Sequence, residues 1–247
     1  MPDQELNITG APLTLQQVCG IAREHVRVRL DDQALASIQT ARSVVDDAAE
    51  GVDPIYGINT GFGSLSRHRI EPDQTAEIQR NLLRSHAAGV GEPLDAEVVR
   101  AMQALLLTSL ARGHSGVRTD VLAMLASVLN HDVVPIVPSR GSVGASGDLA
   151  PLAHAGLLLI GEGEAMVGDK GPMPASEALQ LTGLSPISLA AKEGLALING
   201  THMMAAILAL SCADIIKILD AAEIAAAMSL DASRGSAGPY DARIQEI

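Results

Sequence analysis

The sequence predicts a mainly α-helical protein with a small amount of β-structure. Apolar residues recur at helical spacing in several segments, as in 95–112, where Val98, Met102 and Leu105 share one face. The proline-free, alanine-rich segment 189–232 predicts a single long helix that is apolar on nearly every side. Only 6–9 and 26–30 alternate polar and apolar residues in the manner of strands.

Capping residues and helix breakers place the other helices in order. Thr14, Asp31 and Asp95 are suitable N-caps, and a helix can also begin at Pro72-Asp73. Residues 161–175 are rich in glycine and proline and predict a loop or a short hairpin. We therefore expect helices over 14–24, 31–49, 72–89, 95–112, 117–130, 149–160 and 176–181, followed by the long helix.

Composition narrows the classes of function. Hydrophobic residues make up 47% of the 247 residues and charged residues 19%, which is typical of a globular protein. The net charge of −12 and the lack of tryptophan argue against nucleic-acid binding. The longest apolar stretch, 203–213, is too short to span a bilayer. Two distant cysteines, Cys19 and Cys212, are best explained as reduced thiols in a cytoplasmic protein.

The long apolar helix would be insoluble as an isolated rod. At about 1.5 Å per residue, some 40 residues extend roughly 60 Å. Such a helix must pack against others, which implies partner chains.

The most informative segment is Ala145-Ser146-Gly147. Small, flexible residues such as Gly144 surround the serine, so the backbone can fold back on itself. Attack of the Gly147 nitrogen on the Ala145 carbonyl, with loss of two waters, would give a five-membered ring with an exocyclic methylidene. Such a ring is an electrophile that no coded side chain supplies.

The tripeptide alone is weak evidence, because alanine, serine and glycine are common residues. Its neighbourhood also suits an ordinary loop that enters a helix, with Asp148 as the cap and Pro151 in the first turn.

Four segments in order distinguish these interpretations. They are Tyr-Gly-Ile-Asn-Thr-Gly-Phe-Gly (56–63), Asn-Leu-Leu-Arg-Ser-His-Ala-Ala-Gly-Val-Gly (81–91), Gly-Ser-Val-Gly-Ala-Ser-Gly-Asp-Leu-Ala-Pro-Leu-Ala-His (141–154) and Ala-Leu-Ile-Asn-Gly-Thr (196–201). The chain resembles the histidine and aromatic amino acid ammonia-lyases in all four. The resemblance implies that Ala145-Ser146-Gly147 cyclises to a methylidene-imidazolone, with Gly144 and Asp148 in support and no external cofactor.

Tyr56 is one of only two tyrosines and lies in a glycine-rich segment near Phe62. Without the motif, a loop tyrosine that packs its ring against the core is the simpler interpretation. The resemblance implies instead that Tyr56 is the base for the substrate β-proton. A phenol must be activated by its surroundings for that role.

His86 alone would be interpreted as a histidine at a helix end. In the resembling lyases, Ser-His at this position marks histidine as the substrate, whereas tyrosine-specific relatives tend to carry His-Leu and phenylalanine-specific relatives Phe-Leu. The Ser85-His86 pair therefore predicts that His86 contacts an imidazole substrate.

Asn199 has two interpretations. Asn-Gly is a common turn pair, so Asn199 could end a helix. Because the helical pattern continues to Ala232, we expect instead an asparagine within the long helix, where its amide needs a partner. The resemblance places it against the electrophile and the substrate. His202 stands where many histidine lyases carry glutamine, a departure from the pattern. Asp148 could also let the helix after it stabilise negative charge on the electrophile.

The other histidines show no metal-ligand spacing, and we expect no metal site. They are His25, His68, His114, His131 and His154.

By resemblance, the architecture is that of the fumarase/aspartase-like superfamily. Residues 1–190 would form the electrophile-bearing domain and 191–247 the start of a central helical bundle, in a homotetramer. The chain would correspond to the N-terminal half of such a lyase, and the implied reaction converts L-histidine to trans-urocanate and ammonia. A tyrosine or phenylalanine ammonia-lyase, an aminomutase, and a catalytically incomplete half-chain remain as alternatives.

Overall fold

The structure is a computed structural model that describes residues 5–63, 66, 68–244 and 246. The mainly α-helical prediction is confirmed. The helices are α1 Leu15–Arg23, α2 Asp32–Glu50, α3 Thr75–His86, α4 Ala96–Ala111, α5 Thr119–Asn130, α6 Leu149–Leu159, α7 Ala175–Leu181, α8 Glu193–Ile198 and α9 His202–Ala232. The strands are β1 Glu5–Ile8, β2 Arg27–Leu30, β3 Val90–Pro93, β4 Val133–Pro135, β5 Pro138–Arg140, β6 Glu164–Val167 and β7 Lys170–Pro174.

The first two helices begin where their caps predict. Thr14 and Gln17 form a reciprocal capping box at the start of α1. Asp31 accepts backbone hydrogen bonds from Gln33 and Ala34 at the start of α2. Asp95 immediately precedes α4, but its side chain makes no capping hydrogen bond. A short 3-10 turn at Pro72–Gln74 leads into α3.

The centre of the core is formed by α4, α5 and α6. Helix α4 contacts α1, α5 and α9, and α6 contacts α3 and α8. Leu107, Leu122 and Leu152 are completely buried within this group. Burial therefore extends to nearly every side of α4 and is not confined to the predicted face, where Val98 and Leu105 are only half-buried.

Three small sheets surround the helices. Strands β1 and β2 pair in parallel, and β3 pairs with β5 in an antiparallel ladder. The third sheet has the order β4-β6-β7. Its β6–β7 hairpin lies within 161–175, as predicted. The β3–β5 ladder leads directly to the loop that carries Ser146.

The prediction of one continuous helix over 189–232 is wrong. Helix α8 ends at Ile198, and α9 begins only at His202. Lys192, which precedes α8, has a left-handed φ of 70°. Side chains from other elements hold the N-terminal end of α8, and the Gly200 carbonyl beyond its C-terminal end accepts the Asp148 N–H. Local helix propensity is overridden by these tertiary contacts.

Helix α9 is 31 residues long but has only three buried residues, Met203, Ala206 and Leu210. By length and composition alone, the span Glu193–Ala232 could cross a membrane, which the 11-residue run did not indicate. A helix that packs in a helical bundle can have the same length and composition, so these two properties do not distinguish a membrane-spanning helix from a bundle helix. The predicted domain division near residue 190 stays a prediction.

Candidate active site

The Ser146 loop connects β5 to α6 and is folded tightly. The Val143 N–H donates to the Gly147 carbonyl at 2.9 Å. Gly144 and Gly147 have left-handed φ angles of 76° and 77°, which glycine adopts at little cost. The Ala145 side of the loop is exposed, whereas Gly147 is buried. The loop therefore presents Ser146 from a firmly anchored backbone.

Gly147 is needed for a reason that the sequence did not reveal. A Cβ at this position would lie 2.6 Å from the Met204 Cε and 3.2 Å from the Thr201 Cγ2. The loop therefore packs directly on the first turn of α9. The Met204 side chain is flexible and could move away, so the positive φ of Gly147 is what disfavours a larger residue here.

Asp148 does not cap α6 as predicted. Its side chain makes no capping hydrogen bond to that helix, because Oδ2 accepts the backbone N–H of Met204 at 3.0 Å. Asp148 thus caps the N-terminus of α9, which is distant in sequence. The residue is fully buried, and its Oδ1 has no hydrogen-bond partner among the residues that the structure describes.

The backbone of Asp148 also connects the two segments. Its N–H lies 3.1 Å from the Ser146 carbonyl and 3.0 Å from the Gly200 carbonyl, a shared donor. The Ser146 loop and the Asn199-Gly200 break are therefore held side by side.

The loop that carries Tyr56 is organised by Asn59. The Asn59 Oδ1 accepts the Ile55 N–H at 2.7 Å, and its Nδ2 donates to the Asp53 carbonyl at 3.0 Å and the Ala48 carbonyl at 3.2 Å. Asn59 is buried, so these bonds replace the water that its amide loses. The asparagine of the 56–63 motif is therefore what folds the loop.

Tyr56 itself is 53% exposed. Its ring lies edge-on to Phe62, with centroids 6.0 Å apart and planes at 89°. Gly57, with φ of 74°, approaches Leu195 so closely that a Cβ would lie 2.7 Å from Cδ2. The tyrosine ring is thus exposed, while the backbone beside it packs on α8.

His86 is the last residue of α3 and is half-buried. Its Nδ1 lies 2.9 Å from the Leu82 carbonyl and 3.1 Å from the Ser85 Oγ. Since a carbonyl oxygen only accepts, Nδ1 carries the proton in the neutral ring. Nε2 is then left with a lone pair, which can accept a hydrogen bond from a ligand.

Asn199 is the C-cap of α8, with φ of −90° and ψ of 88°. The interpretation of Asn-Gly as a helix end, which the sequence analysis set aside, is therefore the observed one. Asn199 is exposed, and although its backbone N–H donates to the Leu195 carbonyl, its side-chain amide makes no hydrogen bond to another described residue. The break in the helix turns this amide out of the apolar interior, where it is open to a ligand.

His202 follows the break as the first residue of α9. Its ring covers Gly200, where a Cβ would overlap it. Burial lowers the pKa of His202, and the nearby Asp148 carboxylate partly opposes that effect. The neutral ring is thereby favoured behind the Ser146 loop.

Tyr56, His86, Ser146 and Asn199 line a single groove of about 760 Å³. These residues are far apart in the sequence, and four different segments bring them together. The apolar lining is contributed by Phe62, Ile78, Leu82, Leu149, Leu195 and Ile198. An apolar groove with a few convergent polar groups is typical of a small-molecule site.

Sequence reasoning missed the charged anchor beneath α8. Glu193 is fully buried, and both its oxygens accept from the Arg118 guanidinium, at 2.9 and 2.8 Å. The Ala190 N–H donates to the same carboxylate at 2.7 Å. This ion pair raises the pKa of Arg118. The sequence did contain one indication of this ion pair. Glu193 lies within an apolar segment, and a buried charge requires a partner.

Gln79 is a second anchor that the sequence did not indicate. It is buried on α3, and its Oε1 accepts the Gly194 N–H at 2.9 Å. Helix α3, which ends at His86, is thus hydrogen-bonded to α8, whose C-cap is Asn199.

Comparison with known proteins identifies the family to which this fold belongs. Residues 13–247 match the family described as aromatic amino acid lyase. The chain belongs to the aromatic amino acid lyase family. It is 48% identical to the histidine ammonia-lyase of Stigmatella aurantiaca over 100% of this chain and 48% of that protein. It is 50% identical to the histidine ammonia-lyase of Deinococcus radiodurans over 94% of this chain and 44% of that protein.

Solved structures show the same fold. Histidine ammonia-lyase from Trypanosoma cruzi has a TM-score of 0.90 and 39% identity, covering 98% of this chain and 47% of that one. Tyrosine aminomutase from Streptomyces globisporus has a TM-score of 0.88 and 37% identity, covering 96% and 44%. The chain spans about half the length of the curated relatives that it matches.

Proposed function

We propose that this chain supplies the electrophile-bearing half of a histidine ammonia-lyase, which converts L-histidine to trans-urocanate and ammonia. The observation that carries the proposal is the convergence of Tyr56, His86, Ser146 and Asn199 on one groove. The two relatives at 48% and 50% identity are named histidine ammonia-lyase, which supports the choice of substrate.

The Ser146 loop fits a methylidene-imidazolone. Ring closure requires the chain to fold back between Ala145 and Gly147, and the Val143–Gly147 hydrogen bond closes the loop around them. The Gly147 amide donates no hydrogen bond to any described residue, so it is not engaged elsewhere. The unpartnered Asp148 Oδ1 lies in the next residue. When formed, the group supplies an electron sink that coded side chains lack.

His86 is suited to orient the substrate. Its Nδ1 proton is held by the Leu82 carbonyl, so Nε2 can accept the N–H of a substrate imidazole. This choice of tautomer favours a ligand that donates a hydrogen bond. A phenylalanine ring offers no such donor, so the arrangement favours histidine over phenylalanine.

Tyr56 and Asn199 complete the proposed chemistry. The exposed Tyr56 phenol would take the β-proton, the step for which a positioned base is required. The Asn199 amide would bind polar atoms of the substrate or the loop. The apolar walls from Phe62 and Leu195 limit the water around the reacting atoms.

The active assembly is proposed to be a homo-oligomer in the cytoplasm. Beyond Asp214, α9 exposes Ile215, Ile218 and Leu219, each more than half accessible. Such a continuous apolar surface is typical of an interface. Thiols such as Cys19 and Cys212, which form no disulfide, suit a reducing compartment.

The test compares the chain with Ser146→Ala by intact mass and by activity. We expect the unaltered chain to be lighter by two water molecules, with the loss mapped to the Ala145–Gly147 peptide. Ser146→Ala should lack the hydroxyl that leaves and should show no such loss. If the unaltered chain has the full mass of its sequence, with no loss of water, the electrophile does not form in this half.

Product formation then decides the substrate. In the complete enzyme that contains this chain, L-histidine should give the absorbance of urocanate, and Ser146→Ala should abolish it. Formation of an unsaturated acid from tyrosine or phenylalanine, but not from histidine, would favour the aromatic alternative. A β-amino acid product would favour an aminomutase, the activity named in the Streptomyces globisporus structure.

A further inference from the structure

His154 connects the Ser146 side of the groove to the His86 side. It lies on α6, six residues after Asp148, and is half-buried. Its Nε2 accepts the backbone N–H of Gly89 at 3.2 Å. Gly89 follows His86 by three residues. The bond therefore joins the helix that follows the Ser146 loop to the segment that follows His86.

The same place shows close backbone packing. A Cβ on Gly89 would lie 3.2 Å from the His154 Nε2 and 3.3 Å from the Pro138 Cβ. A Cβ on Gly141 would lie 3.4 Å from the Gly89 Cα. The strand before the Ser146 loop, the helix after it and the His86 segment thus meet at this point.

His154 has no substitute in this contact. Within the described part of the chain, it provides the only side-chain hydrogen bond to residues 87–91. The other bonds of that segment are made by backbone, to Leu83, His86 and Arg140. Loss of the imidazole acceptor would leave the Gly89 N–H unsatisfied in a half-buried position.

We propose that His154 is a positioning residue, which sets the place of His86 relative to the Ser146 loop by accepting the Gly89 N–H. This inference rests on the proposed function, because it concerns the alignment of a substrate contact with the electrophile. His154 touches neither and acts through Gly89.

The contact requires the neutral ring. A backbone N–H cannot accept, so a doubly protonated imidazole would lose the bond. Burial lowers the pKa of His154, which preserves the neutral form. Its cavity of about 310 Å³ also contains Arg84 from α3 and Glu164 at the start of β6, while the other described lining residues are uncharged.

Three versions of the chain separate positioning from mere packing. His154→Phe keeps a planar ring without the acceptor, and His154→Gln keeps an amide oxygen near the position of Nε2 without a titrating group. His131→Gln is the matched control, because His131 is an exposed histidine at the end of α5.

The primary readout is hydrogen exchange of the Gly89 amide, expressed as a protection factor. We expect His154→Phe to lower it about tenfold, as loss of one hydrogen bond does, and His154→Gln to restore most of it. In the unaltered chain, protection should fall as pH drops through the lowered pKa of His154, below the ordinary histidine range. His154→Gln should lack that step, and His131→Gln should retain it.

The NMR signals of the His86 ring report the consequence for the site. They should shift in His154→Phe and stay near their original values in His131→Gln. Where histidine turnover is measurable, KM should rise about tenfold in His154→Phe with a smaller change in kcat. Unchanged Gly89 protection, or an unchanged His86 signal, in a folded His154→Phe chain would overturn the inference.

These readouts also separate the inference from the proposed function. If the unaltered chain loses no water and forms no urocanate, but Gly89 and His86 respond as expected, the positioning role stands and the lyase proposal fails. If the chain is active but Gly89 and His86 do not respond, the reverse holds.

Discussion

Helices α4 and α9 are both rich in apolar residues, but α4 is mostly buried and α9 is mostly exposed. Eleven of the 16 residues of α4 are buried, whereas α9 has three buried residues in 31. The first turns of α9 pack against α4 and α1, and Arg23 pairs with Asp214 where this packing ends. Beyond that point, the apolar residues of α9 face away from the rest of the chain.

An apolar composition therefore indicates that a helix must be buried, but it does not indicate which helix or chain buries it. For α4, the partners lie within this chain. For the distal part of α9, no described element covers Ile218 or Ile224, which are both more than half exposed. This is the reason that we assign that surface to other copies in the proposed homo-oligomer.

The largest contrast is expected between Leu107→Ala and Leu219→Ala. Leu107 is fully buried on α4, and its truncation should lower the free energy of unfolding by about 3–4 kcal/mol through lost burial and a cavity. Leu219 is 57% exposed, and the same change should cost less than about 0.5 kcal/mol in the dissociated chain. Urea denaturation at low protein concentration measures both values.

Raising the protein concentration sharpens this contrast. If copies cover α9, the cost of Leu219→Ala should grow with concentration, while that of Leu107→Ala should not. A cost for Leu219→Ala that is independent of concentration would contradict the interface.

The next effect concerns Arg100, a buried charge on α4. Its guanidinium donates to the Ile21 carbonyl at 2.9 Å, the Leu129 carbonyl at 3.2 Å and the Asp132 carboxylate at 2.7 Å. Burial lowers the pKa of Arg100, and Asp132 opposes that effect. Arg100→Met should lower the free energy of unfolding by about 3 kcal/mol, because it leaves acceptors at two helix ends without their donor.

Arg112→Met is the control for Arg100→Met. Arg112 follows α4 on the surface, and the change should fall within about 0.5 kcal/mol in the same denaturation experiment. If both substitutions changed the free energy of unfolding equally, the hydrogen bonds of Arg100 would not stabilise the fold.

The smallest effect is expected from Asp214→Asn, at the point where α9 leaves the core. The Arg23 guanidinium lowers the pKa of Asp214 by hydrogen bonding. The contribution is therefore present above the unfolded pKa of an aspartate and is lost as pH falls through the lowered folded value. Thermal unfolding should show a small fall in Tm for Asp214→Asn near neutral pH, which disappears in strong acid.

Asp220→Asn provides the comparison for Asp214→Asn. Asp220 lies further along α9 and forms no ion pair with a described residue. Its substitution should change Tm less than Asp214→Asn does. A larger effect at Asp220 would mean that the distal part of α9 is held by contacts within the chain.

The most accurate sequence predictions concern local interactions. Thr14 and Asp31 cap their helices through neighbours two or three residues away, so the sequence contains both partners. The motif residues Tyr56, His86, Ser146 and Asn199 were identified by the resemblance of their four segments to the ammonia-lyases. The structure then brought all four to one groove.

The predictions that failed concern long-range contacts. Asp148 was expected to cap the helix next to it, but its carboxylate accepts the Met204 N–H in the first turn of α9. Asn199 was expected inside a continuous helix, but the Gly200 carbonyl at the break accepts the N–H of the distant Asp148. Gln79 and Arg118 hold the other end of α8. A helical pattern contains no information about such distant partners.

By itself, the sequence determined the helical class, the local caps and the Ala145-Ser146-Gly147 tripeptide that the proposed electrophile requires, because each depends on residues within a few positions of one another. Only the tertiary structure decided where α8 ends, which helix Asp148 caps and how His154 reaches Gly89. Those outcomes depend on buried polar groups that must find hydrogen-bond partners, and the nearest available partner in space is often remote along the chain.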